Sequence, residues 1–164
     1  MTIIVKNKET LIFQEFIFKC CIGKKGLTKN KFEGDKKTPK GVFSLGNLYY
    51  RKDRNLKPIT KLKCIPITKK MFWCNDIKNK AKYNKLIRNN ENISHEKMFR
   101  KDKKYDFVLP INYNTYKPKL GKGSAIFIHL TKNYNPTLGC IAISKKDFLI
   151  LLKIINKKTK IKIV

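Results

Sequence analysis

The stretch from Gly121 to Ser144, GKGSAIFIHLTKNYNPTLGCIAIS, constrains the fold more than any other part of this chain. Ser124 to Leu130 alternates as a strand does, with Ala125, Phe127 and His129 on one side and Ile126, Ile128 and Leu130 on the other. Asn133, Asn135 and Pro136 are turn formers, and a second apolar strand opens at Gly139-Cys140. Paired as a hairpin with His129 opposite Cys140, Ile128 faces Ile141 and Ile126 faces Ile143, which makes one continuous apolar side. The other side then carries His129 and Cys140 over Ala125, Ala142 and Ser144, with Phe127 as a wall, in a shallow groove. Directly opposed residues of an antiparallel pair have Cβ atoms about 4.5–5.5 Å apart, within imidazole-to-thiol reach.

A free thiol is mostly protonated at neutral pH, and a neighbouring imidazole can draw off its proton to give a thiolate nucleophile. Gly139 leaves room for a carbonyl to approach, and the backbone N–H groups of Gly139 and Cys140 are the candidate oxyanion donors. Cysteine is also among the most buried residue types, and an isolated histidine at a strand end is usually structural. What favours chemistry is that Gly-Cys follows a Pro-Thr turn while the histidine lies on the matching face.

These residues carry a resemblance. IFIHL, then PTLGCIAIS, then KKDFLILLKII resemble the catalytic core of the L,D-transpeptidase (YkuD-type) family, which places a His on one strand and a [Ser/Thr]-x-Gly-Cys segment at the next. Upstream, Gly34-Asp35-Lys36-Lys37-Thr38-Pro39-Lys40-Gly41-Val42-Phe43 is similar to the family's GD-x-x-TP-x-G-x-F stretch. The likeness runs from about Gly23 to the C-terminus. It departs from the family pattern at Leu138, where many members have His, at Ala142, where many have Arg, and at Leu130, where a small or hydroxylated residue is common. Trp73 to Asn84 resembles a W-C-x-D … Y-N pattern of one branch of the family. The resemblance implies a Cys140 nucleophile, a His129 base and no cofactor. Thr137, Trp73 and Arg100 are the candidate substrate contacts. Trp73 can equally be a core residue, and Arg100 can instead pair with Asp102 or Asp106.

The formal charge is +28, from 39 Lys and Arg against 11 Asp and Glu. Such a balance suggests a polyanion partner. Only four of the basic residues are Arg (Arg51, Arg54, Arg88, Arg100), whereas bidentate readers of bases and phosphates rely on Arg. Lys, Asn and Ile fill 71 positions, a skew that A/T-rich codons would produce with no ligand involved. The charge is therefore read as a solvated surface with a secondary attraction to anionic polymers, the cell wall included, and no specific nucleic acid.

The N-terminal stretch has no uninterrupted apolar run after a basic start, and no run reaches the ~20 residues of a membrane span. Cys20, Cys21, Cys64, Cys74 and Cys140 show no metal-like spacing with His. Strands are expected at Thr2–Val5, Thr10–Phe13, Phe16–Ile22, Val42–Leu45, Leu62–Thr68, Tyr105–Pro110 and Thr159–Val164. Short helices are expected near 84–100, one of them capped by Ser94, and an amphipathic helix over Lys145–Asn156. The expected fold is a single mainly β domain over 1–164, a sandwich or barrel-like sheet with one substantial C-terminal helix.

By resemblance, the function is acyl transfer on peptidoglycan stem peptides through a Cys140 thioester, in a bacterial cell envelope (periplasm), with acylation by carbapenems; no signal peptide is visible. The alternatives are an L,D-carboxypeptidase or amidase using the same Cys-His pair, and a non-enzymatic basic protein that binds polyanions.

Overall fold

The computed structural model of the chain describes residues 1–88 and 92–164. Alternating side chains build the first strands. β1 (Thr2–Lys6) turns Ile3 and Val5 inward, and β2 (Thr10–Phe13) buries Leu11 and Phe13. β1, β2 and β3 (Phe16–Cys21) run antiparallel in succession, and Asn7 and Lys8 take left-handed conformations in the first turn. β4 (Leu27–Thr28) and β5 (Thr38–Pro39) form a short parallel pair. β6 (Gly41–Ser44), β7 (Leu48–Tyr50) and β8 (Cys64–Pro66) follow. β9 (Phe72–Cys74), β10 (Leu86–Ile87) and β11 (His95–Lys97) make a separate three-stranded sheet in the order β10-β9-β11. The chain closes with β12 (Phe107–Pro110), β13 (Phe127–Leu130), β14 (Ile141–Ile143), α1 (Lys145–Ile154) and β15 (Lys160–Ile163).

Ten strands join in one curled sheet, ordered β6-β15-β1-β2-β3-β14-β13-β12-β7-β8. The mainly β architecture with its C-terminal helix is the one expected. Ser144 caps α1 by accepting the Asp147 N–H at 3.1 Å, and Phe148, Leu151 and Leu152 are wholly buried against the sheet. No helix among the described residues is long and apolar enough to cross a membrane.

Three expectations are corrected. Where short helices were expected near 84–100, the described residues form β10 and β11; residues 89–91 lie outside the description. Pairing decides this. His95, Glu96 and Lys97 sit beside Cys74, Trp73 and Phe72, and the His95 ring packs on Phe72 at 4.7 Å. Ser94 donates its hydroxyl to Asn75 at 2.7 Å instead of capping a helix.

The second correction concerns the central pair. β13 and β14 are parallel, with Ile128 beside Ile141, His129 beside Ala142 and Leu130 beside Ile143. The connecting segment 131–140 can span up to ~33–36 Å fully extended, far more than a four-residue strand, so it can carry the chain back before β14 begins. Thr137 is tied beyond the end of β3 on that return, donating its N–H to Ile22 O and accepting from Lys24 N–H, both at 2.9 Å.

The alternation itself holds. Ile126, Ile128, Leu130, Ile141 and Ile143 enter the main core with α1. Ala125 and Phe127, on the opposite face, enter a second, smaller core with Trp73, Met98 and Tyr105, and Cys140 packs against it. The face that carries the histidine and cysteine is thus roofed by side chains of the small sheet and of the segment before β12, and is not an open shallow groove.

Candidate active site

Parallel pairing places the thiol and the imidazole on one face by a different route from a hairpin. Cys140 immediately precedes β14 and lies alongside Phe127, whose N–H points at its Sγ at 3.4 Å. The thiol donates to Ala125 O at 3.2 Å. Ala125 holds a left-handed φ of 52°, which turns that carbonyl to the sulfur. No hydrogen bond between thiol and imidazole is present among the described residues. Burial pushes the Cys140 thiol up to about 12, with the Glu96 carboxylate adding to it and the Phe127 N–H, Lys31 and Arg100 opposing.

His129 is 7% exposed and its Nδ1 lies 3.0 Å from Leu130 O. A carbonyl oxygen only accepts, so Nδ1 carries the proton and Nε2 keeps the basic lone pair. Burial pulls the imidazole down to about 4; the Leu130 carbonyl acts the other way, and Lys104 and Arg100 reinforce burial. The resting pair is thus neutral thiol and neutral imidazole. The Tyr105 ring leans on the imidazole at 5.4 Å between centroids. The Tyr105 hydroxyl donates to Glu96, whose own carboxyl is raised by burial against the opposing pull of Tyr105 and Arg100.

The Gly-Cys turn is held from both sides. Thr137 Oγ1 donates to Cys140 O at 2.6 Å and accepts the Gly139 N–H at 3.1 Å. That engages the N–H expected to serve an oxyanion. Thr38, from the Thr-Pro segment, donates to Gly139 O at 2.8 Å and accepts the Gly23 N–H at 2.9 Å. Gly139 has φ +144°, and a Cβ there would stand 3.0 Å from Lys37 O, so a side chain fits neither the backbone nor the space.

The family model of the L,D-transpeptidase catalytic domain (YkuD) matches residues 1–163. The chain belongs to this family. Neither the search of curated proteins nor that of solved structures returns a match.

Within this L,D-transpeptidase domain the two sequence motifs meet: the Thr-Pro loop and the Gly-Cys turn are joined through Thr38. Asp35 organises the loop by accepting Lys31 Nζ at 2.6 Å, Lys37 N–H at 2.9 Å and Phe32 N–H at 3.1 Å. Its carboxyl stays below the usual range because these donors outweigh its burial.

Trp73 is a core residue, 7% exposed, edge-on to Phe127 at 5.0 Å between centroids. Its Nε1 donates to Asn84 Oδ1 at 2.9 Å, which also takes the Ala125 N–H at 3.0 Å, while Asn84 Nδ2 donates to Tyr113 O and Asn114 O. The W … Y-N spacing therefore records a fully used amide that fixes Ala125, the residue accepting the thiol proton. Arg100 is paired with Asp102 at 2.5 Å and lies 4.9 Å over the Tyr105 ring, whereas Asp106 pairs with Arg54. Leu138 is 69% exposed, and Ala142 is buried beside His129.

Nothing in the sequence marks Lys31, Glu96 or Tyr105 for chemistry. The first is hidden among 35 lysines, and a helix over this stretch hides Glu96, which strand alternation sets apart from its neighbours His95 and Lys97.

Proposed function

We propose that this chain catalyses acyl transfer on peptidoglycan stem peptides, with Cys140 as nucleophile and His129 as general base. What supports the reading above all is the placement of the thiol of a half-buried Cys140 and an imidazole with a basic Nε2 on one face of the β13–β14 pair. In the first step the Sγ proton passes to Nε2 and sulfur attacks the carbonyl at the L-centre of the diamino acid in a tetrapeptide. The C–N bond breaks, the terminal D-residue leaves with the proton from His129, and a thioester remains. An amine of a second stem then attacks the thioester, His129 takes its proton, and the thiolate leaves to give a cross-link. The Cys140 N–H is the backbone donor toward the oxyanion, the Gly139 N–H being engaged by Thr137.

Because thiol and imidazole are both neutral at rest, the proton moves from sulfur to Nε2 in the attack step itself. Substrate must also displace the thiol proton from Ala125 O. The alternative acceptor is water, which makes the enzyme an L,D-carboxypeptidase. Leu138 and Ala142, at positions where many members carry polar or charged residues, leave the surroundings of Cys140 and His129 less polar.

The test is mass spectrometry of disaccharide-tetrapeptide incubated with the protein and with a Cys140→Ala control. Cross-linked dimers that vanish in the control are the expected result. Tripeptide without dimers would assign a carboxypeptidase, and unchanged substrate would overturn the tetrapeptide-donor reading.

A further inference from the structure

Behind the Gly139–Cys140 turn lies an ion pair that the acyl-transfer scheme leaves unused. Lys31 and Asp35 meet at 2.6 Å with side chains only 4% and 1% exposed. Burying such a pair adds little net stability, because desolvating both charges offsets their attraction. Asp35 has structural work of its own, gathering two backbone N–H groups of its loop. The ammonium has three donors, and Asp35 takes one of them.

Gly123 clears the path of this side chain, and Gly139 marks where it ends. A Cβ on Gly123 would stand 2.8 Å from Lys31 Cε, and a Cβ on Gly139 would stand 3.5 Å from Lys31 Nζ. The stem therefore passes Gly123, and the charged head ends at the turn that carries the thiol. A cation held in a water-poor site acts on a nearby negative charge far more strongly than it would in water.

We propose that Lys31 is the fixed cation for the negative charge that develops at this site: its ammonium, anchored by Asp35 behind the Gly139 turn, stabilises the Cys140 thiolate and the oxyanion of the tetrahedral intermediate. The proposal deepens the acyl-transfer reading and rests on Cys140 being the nucleophile. It accounts for a buried ammonium, with Asp35 its one hydrogen-bond acceptor among the described residues, at the turn that carries a thiol its surroundings otherwise hold protonated. The opposing charge is also in place, since Glu96 reaches the site from the small sheet through Tyr105.

The test is the pH dependence of Cys140 alkylation by iodoacetamide, followed by mass spectrometry of the Cys140 peptide. It is made on the wild type, Lys31→Met, Lys31→Arg and the double variant Lys31→Met/Asp35→Asn, whose amide oxygen still accepts from the loop backbone. Lys31→Met is expected to displace the profile upward by about one pH unit, a roughly tenfold slower reaction at any given pH below the plateau. Lys31→Arg should recover most of the rate. Should Lys31→Met fail to fold because Asp35 is left unpaired, the double variant carries the comparison, since removing both charged partners avoids a stranded carboxylate. A folded Lys31→Met or double variant whose profile coincides with the wild type overturns the proposal. So does a Lys31→Arg as slow as Lys31→Met, which would assign the effect to packing. Alkylation needs no peptidoglycan, so failure of the transfer reading in the tetrapeptide assay is distinguishable from failure of this one.

Discussion

At the scale of single residues, a buried neutral imidazole makes the folded chain acid-sensitive in a separable way. The folded-state value of His129, about 4, lies below the 6.5 of a free imidazole, so between those values the unfolded chain takes up a proton that the folded one refuses. Full stability is present above about pH 6.5 and is lost as pH falls through the folded value, in total on the order of 3 kcal/mol at about 1.36 kcal/mol per unit. Urea unfolding of wild type and His129→Leu between pH 7 and 4 should show the wild type losing that much more; parallel curves would contradict it. The charges facing Cys140 give predictions of opposite sign. Glu96→Gln removes a carboxylate that holds the thiol protonated, so alkylation of Cys140 at fixed pH should quicken, the reverse of the Lys31 effect. A slower or unchanged rate in a folded variant would rule out that electrostatic role. Gly139→Ala should cost about 1–3 kcal/mol in strained backbone, before any shift of Lys37 is counted, readable as a lower denaturation midpoint.

At the scale of elements, Thr38 is the joint between two segments about a hundred residues apart, and Thr38→Val isolates it. The variant leaves Gly139 O and the Gly23 N–H without their partner, at about 1–3 kcal/mol for each buried group. Stability should fall by several kcal/mol, and acyl transfer should fall further than stability alone explains, because the turn loses one of its two clamps. Retained transfer rates in folded Thr38→Val would show that the clamp does not position Cys140. The same joint illustrates what the sequence could and could not disclose. Local periodicity was enough to locate β1, β2, β3 and α1 to within about two residues and to assign Ile126, Ile128, Ile141 and Ile143 to one core face. The direction of β14 was not legible, because parallel and antiparallel pairing bury the same isoleucines and the choice lies in a long connection without periodicity. Strands of two or three residues, such as Leu86–Ile87, are too short to show a period at all, so the small sheet over the site was missed. Arg100 was legible as an ion-pair residue only because Asp102 stands two positions away; its stacking on Tyr105 depends on the tertiary fold.

At the scale of the whole molecule, 39 cationic residues face 11 anionic ones, and the described residues hold four ion pairs. Self-repulsion of this surface should make the melting temperature rise between about 0.1 M and 1 M sodium chloride, as the screening length shortens from ~10 Å to ~3 Å. A melting temperature that falls with salt would mean instead that paired charges dominate. Retention on anionic polymer should weaken steeply over the same range. The order of the large sheet bears on how the chain is made. β15 lies between β1 and β6, pairing parallel with the first and antiparallel with the second. A ribosome delivers β6 more than a hundred residues before the strand that attaches it to the rest of the sheet, so β6 has to wait without its neighbour until residues 160–163 have left the exit tunnel. Nascent chains stalled before that point should be cut by protease near Gly41–Ser44, and release of the tail should close that window.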